Sequence, residues 1–260
     1  MSKDALNQGI QSALGSMRQR RRAIAQDISL EASDARASLE ANMGGMAQIS
    51  IPADNERPRV TFQLLRASMD YGRALLFLLE KHPIDLPVVA LGLHRSQIEQ
   101  FLRAVFVQFI ADDEQFQDFL QEDRGPRRKN GKGKWVAIPL KELAAEVETT
   151  IARIGQDDGP QKLGRTVVNS WDPLCGLVHG GKAIRVMYED PDGQIGACVP
   201  ANILFQATVN TVATTNLCVI VALTAAGVGA YETSDVVAHV ASHMMRYLEQ
   251  RKTRMSGLSL

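Results

Sequence analysis

Arg95, Glu99 and Arg103 recur at steps of four inside LGLHRSQIEQFLRAVFVQFI, residues 91–110, a stretch otherwise fit for a protein core. Four residues on a helix are about 40° of net rotation, so the three side chains form one Arg-Glu-Arg stripe. Arginine offers a planar fork to a phosphate or carboxylate, and the glutamate can orient an arginine or a neighbouring histidine. Exposed, such a ladder is worth a few tenths of a kcal/mol per pair; once buried, loss of one partner costs about 3–5 kcal/mol. Structural clamp and functional site both fit this pattern. The histidine that could complete a site is His179, in WDPLCGLVHGG, at the end of an apolar run and before Gly180 and Gly181. A helix should stop at those glycines. The imidazole then reads either as a terminal helix residue, whose charge suits that end, or as a general acid or base facing open space.

Other chemistry finds less support. His239 and His243 stand at i, i+4 and could share a metal, but no third ligand sits at a recognisable offset, so we expect an ordinary helix surface and no metal. Nucleophile-elbow, phosphate-loop and dinucleotide-fingerprint glycine motifs are missing, and no cofactor is expected. Cys175, Cys198 and Cys218 form no CxxC pair and read as reduced core thiols, which points to the cytoplasm. EDRGPRRKNGKGKW, at 122–135, gathers six basic residues beside Trp135. It could follow a phosphate backbone, although a solvated, flexible loop is the reading we adopt.

The elements that must position these residues are helical throughout. On the wheel of 91–110, Leu91, His94, Ile98, Phe101, Leu102, Val105 and Phe109 share an apolar arc, with the charged stripe along its edge. Residues 4–43 carry apolar side chains on one narrow face, the seam of a hairpin or coiled-coil arm, with RQRRR at 18–22 as a solvated face. Gly44, Gly45, Pro52 and Pro58 should break that arm into a connector of about a dozen residues. Helical periodicity returns from Arg59 until HPIDLP at 82–87. Asp112 or Asp113 should cap a short helix through Leu120, and Pro139 should open another over 140–154. A helical segment should begin at 163–168 and lead to His179, while 184–199 should be an extended loop with little sheet. A long, nearly uncharged helix follows from Pro200 to about Gly227, and an amphipathic one over 233–251. Its apolar part, 217–231, is preceded by Asn210, Thr211, Thr214, Thr215 and Asn216, which suit a buried central helix better than a lipid-facing span. No membrane association is expected.

With 260 residues, of which 45% are hydrophobic, the chain can bury a large core. Its 29 basic and 29 acidic residues cancel, so any attraction to nucleic acid must be local. The N-terminal residues lack the apolar run of a secretory signal. The division we expect is an arm and linker over 1–50 and an all-α, up-and-down bundle over 57–252.

The succession RPRVTFQLLRASMDYGRALLFLLE, ALGLHRSQIEQFLRAVFVQFIADDEQFQDFLQ and WDPLCGLVHGG resembles a bacterial family of uncharacterised helical proteins similar to the HEPN superfamily. The resemblance spans about 57–250, and its most specific parts are Arg95, Glu99 and Arg103 with His179, Gly180 and Gly181. It implies an RNA- or nucleotide-binding module or a metal-independent ribonuclease, often dimeric and often in defence or toxin–antitoxin settings. The ribonuclease members place four to six residues between an arginine and a following histidine, and no histidine here has an arginine at that distance. The alternative is a non-enzymatic interaction and oligomerisation protein in which the Arg-Glu-Arg/His cluster is structural.

Overall fold

A computed structural model describes residues 3–51, 55–121, 125–155, 172–189, 193–227 and 230–257. The chain is mostly helical: α1 Lys3–Ala47, α2 Glu56–Lys81, α3 Pro87–Val105, α4 Asp113–Gln121, α5 Leu140–Gly155, α6 at 172–178, α7 Lys182–Tyr188, α8 Ala201–Ala225 and α9 Ala230–Gly257. Two short strands, β1 Arg127–Lys129 and β2 Trp135–Ala137, form a hairpin between α4 and α5. The all-α expectation is therefore met, with α1, α2, α3 and α8 packed on one another and α9 against α1 and α8.

The core is built from the apolar faces of these helices. Leu65, Met69, Leu75, Leu76 and Leu79 of α2 meet Ile98, Phe101 and Leu102 of α3 and Val212, Cys218 and Ala222 of α8, all buried. Helix α8 is, among the described residues, the one long and apolar enough to cross a membrane, yet most of it is buried inside the bundle. Its threonines fit that burial because each hydroxyl can bond a carbonyl one turn back, as Thr208 does to Leu204 and Thr214 to Asn210.

Helix α1, the N-terminal helix expected as the seam of a hairpin or coiled-coil arm, packs on the bundle. Ile28, Ala32, Ala35, Leu39 and Met43 are core residues, and Asn42 Nδ2 donates to Asn216 Oδ1 on α8 at 2.7 Å. Small residues on this face let α1 lie close to its neighbours, so its second half is a wall of the bundle. Gly44 and Gly45 do not end it either, since α1 continues to Ala47. A Cβ on Gly45 would stand 3.5 Å from Val236 of α9, so this glycine sits at a helix–helix approach. Pro58 likewise lies within the first turn of α2, where a missing N–H costs nothing.

Other local expectations divide. Asp112 caps α4 in a reciprocal box, its Oδ1 accepting from the Gln115 N–H and Gln115 Oε1 accepting from its own, at 2.8 and 2.9 Å. The stretch 184–199 is helical at its start, as α7, and then makes a single antiparallel bridge, Glu189 to Ile195. Short apolar runs such as IRVMY suit helix and strand alike, and nothing in the run decides between them. The segment expected at 163–168 lies outside the described residues, as do Arg124 and Trp171.

Candidate functional site: an arginine stripe on the third helix

Helix α3 positions the stripe as its wheel requires. Glu99 accepts from Arg103 Nη2 at 2.5 Å and lies 3.8 Å from Arg95 Nη2. The three side chains are 19%, 21% and 28% exposed in the order Arg95, Glu99, Arg103, which is neither open surface nor core. Both guanidinium groups flank the one carboxylate of Glu99, so the three side chains hold two positive charges and one negative at a partly buried edge. Gly125 passes beside it: a Cβ there would sit 3.7 Å from Arg103 Nη2, in ordinary van der Waals contact.

Beyond Arg103 the helix widens into a π-helical turn, Phe106–Ile110, and stops at the extended residue Ala111. The wider turn frees carbonyls that a regular helix would use. Arg57 of α2 takes them, donating from Nη1 to Val107 O at 2.8 Å and Ala111 O at 2.7 Å and from Nη2 to Asp113 at 2.8 Å. Its guanidinium also lies 4.6 Å above the Phe116 ring. One arginine thus fixes the C-terminal end of the helix that carries the other two.

On the opposite side of α3 lies a polar network that sequence reasoning missed. Gln97 is fully buried, and its Oε1 accepts from His94 Nδ1 at 3.0 Å and from Thr211 Oγ1 at 3.1 Å. Gln97 Nε2 donates to Thr211 O at 3.2 Å, and Ser68 Oγ donates to Gln97 O at 2.9 Å. His94 Nδ1 therefore carries the proton, and the buried Nε2 lone pair has no donor. Burial is the main cause that lowers the His94 pKa to about 4, against a smaller opposing effect of Gln97. The signal available was a glutamine three residues after His94 on the same arc; its partners on α2 and α8 were not visible locally.

The basic stretch at 122–135 is the clearest correction. Instead of a solvated loop it contains a hairpin, Arg127 paired with Ala137, Arg128 with Val136 and Lys129 with Trp135. Asn130 Oδ1 accepts from the Lys132 and Lys134 N–H groups, and Gly133, at φ +72°, supplies the left-handed turn residue. Strand alternation sends Arg127 and Lys129 one way, to Asp118 and Glu114 of α4, with the Trp135 ring 5.8 and 5.3 Å from their charges. It sends Arg128 the other way, to Glu142 and Glu146 of α5 at 3.3 and 2.6 Å. Every cation of β1 thus has a carboxylate, which removes this strand as a phosphate track.

His179 closes α6. Its N–H bonds Cys175 O at 2.9 Å, Gly180 takes φ +73°, and Gly181 N–H reaches back to Gly176 O at 2.8 Å, the pattern of a glycine-terminated helix. The side chain is exposed. No hydrogen bond or ion pair joins it to Arg95, Glu99 or Arg103 among the described residues; its neighbour Val178 approaches α3, with a methyl 4.0 Å from where a Cβ on Gly92 would be. The rings of His239 and His243 lie 4.7 Å apart between centroids and are tilted by 59°, and no group of three ligating residues is found among the described residues. Of the cysteines only Cys218 is a core thiol, pushed up to about 12 by burial; Cys175 is half-buried and Cys198 exposed.

No curated protein and no solved structure matches the chain. A family profile does, over residues 65–250, a span from the middle of α2 to α9 that includes the stripe and His179. The chain belongs to that family, a family of unknown function designated DUF6988.

Proposed function

We propose that the protein is a HEPN-like helical module that binds a phosphate group of RNA or a nucleotide on the Arg95–Glu99–Arg103 stripe. The observation that carries this reading is a pair of arginine forks one turn either side of Glu99 at a partly buried edge, with the side chain of Arg103 the more exposed of the two at 28%. A phosphate oxygen would accept from the guanidinium of Arg103, in surroundings where water screens the charge only in part. Binding of labelled single-stranded RNA and of ATP, followed by fluorescence anisotropy and calorimetry, tests it. Arg103→Ala and Arg95→Ala should each weaken binding about tenfold, and the double variant should abolish it. Unchanged affinity in a folded double variant overturns the reading and leaves the cluster as a structural clamp.

A second reading, metal-independent RNA cleavage, is favoured by the seat of Val178 on Gly92, which brings the His179 end of α6 against α3. His179 would move a proton to or from a ribose 2'-hydroxyl while an arginine stabilises the phosphorane. Cleavage in the presence of a chelator that disappears in His179→Ala, with RNA binding retained, would establish it. Chelator-resistant cleavage by a folded His179→Ala protein would remove that role.

A further inference from the structure

A groove of about 550 Å³ opens at the N-terminal end of α3, away from the stripe, between α1, the turn before α3 and the segment leading into α8. Its floor is aliphatic, with Ile24, Ile28, Ile84 and Leu204. At its rim stand Arg20 and Arg21, and no carboxylate lines it among the described residues. Arg21 is held in place by donating from Nη2 to Ala197 O at 3.4 Å. Helices α3 and α8 both begin in the lining, at Pro87 and Ala201, and neither has a side-chain cap on its first N–H groups, so their dipoles add to the positive potential.

We propose that this groove binds an amphipathic monoanion, a carboxylate with an unbranched aliphatic body of medium length. The volume is that of a small-molecule site, and apolar walls with a few convergent polar groups are what such sites require. The charge fixes the sign of the head group, because two arginines stand at the rim and no carboxylate lines the space among the described residues. The walls fix the body. Among the described residues no Phe, Tyr or Trp lines the groove to stack a base or aryl ring, whereas branched aliphatic side chains pack well on a methylene chain.

Cys198, exposed in the groove wall, provides a reporter. The full chain would be labelled with N-ethylmaleimide, an uncharged reagent, and the rate read peptide by peptide with and without decanoate below its micellar concentration. At about ten times its dissociation constant, decanoate should slow labelling of Cys198 about tenfold and leave Cys175 unchanged. Decanol should protect less, and the double variant Arg20→Ala, Arg21→Ala should bring decanoate down to the level of decanol. Equal protection by acid and alcohol in the native protein overturns the proposal, as does no protection by either. Sedimentation in parallel identifies the competing occupant: a dimer whose Cys198 is already shielded and insensitive to decanoate assigns the groove to a second copy of the chain.

Discussion

Two arginine–glutamate clusters in this molecule use the same chemistry and stand in opposite relations to the fold. Glu31 of α1 is fully buried, accepts from Tyr247 at 2.7 Å and from Arg254, which also reaches Asp34, and forms an ion pair with Arg251 at 3.0 Å. Glu99 of α3 is about a fifth exposed and serves two arginines of its own helix. The first cluster ties together helices more than 200 residues apart, and the second joins residues four apart that would meet on any helix. A fully buried carboxylate that binds groups on a distant helix is a structural joint, because its loss leaves the buried Tyr247 hydroxyl without its acceptor. A half-exposed one can lose its partners to solvent, or to a ligand, at small cost.

The largest expected effect is at Glu31. Glu31→Ala strands Arg254, Arg251 and the Tyr247 hydroxyl between α1 and α9, and should cost about 3–5 kcal/mol. For a chain of this size that is a fall in melting temperature of roughly 10 °C. A melt within about 2 °C of the native one would mean that α9 does not need this joint, and the contrast with Glu99 would collapse.

Next is the buried histidine on the other side of α3. His94 is neutral while folded, and burial keeps it so until about pH 4, whereas the unfolded chain takes up a proton near the ordinary 6.5. Its contribution is therefore full above pH 6.5 and is lost as the pH falls from 6.5 to 4, with a total of about 3 kcal/mol at 1.36 kcal/mol per pH unit. Denaturant titrations of the native protein and of His94→Gln across that range should diverge, with the native protein falling more steeply. Parallel curves would place the His94 ring in water.

These two cases also mark what the sequence made legible. The wheel of α3 placed His94 in the core and the arginines on an edge because helical periodicity is a local property. The end of α6 at His179, Gly180 and Gly181 and the Asp112–Gln115 box could be read for the same reason. The hairpin could not. RRK looks solvated until the carboxylates of α4 and α5 arrive from residues 114, 118, 142 and 146. The joint at Glu31 is further still from local view, and α1 looked like an arm because its alanines count little in an apolar pattern while allowing the closest approach. The stripe itself was legible as a pattern, but its partial exposure, which separates site from clamp, is a tertiary fact.

The smallest stability effect should come from Glu99→Gln, and its smallness is informative. The substitution keeps the shape and removes one charge, so Arg95 and Arg103 face each other across an amide. Both are partly exposed and can turn toward water, which holds the loss to about 1 kcal/mol or less, a few degrees of melting temperature at most. The same change raises the net charge of the stripe by one. If the stripe receives a phosphate, affinity for RNA or ATP should therefore hold or rise severalfold while stability slips. A clamp predicts the reverse, a large fall in melting temperature and no gain in binding, because the carboxylate would then be the element that both arginines depend on.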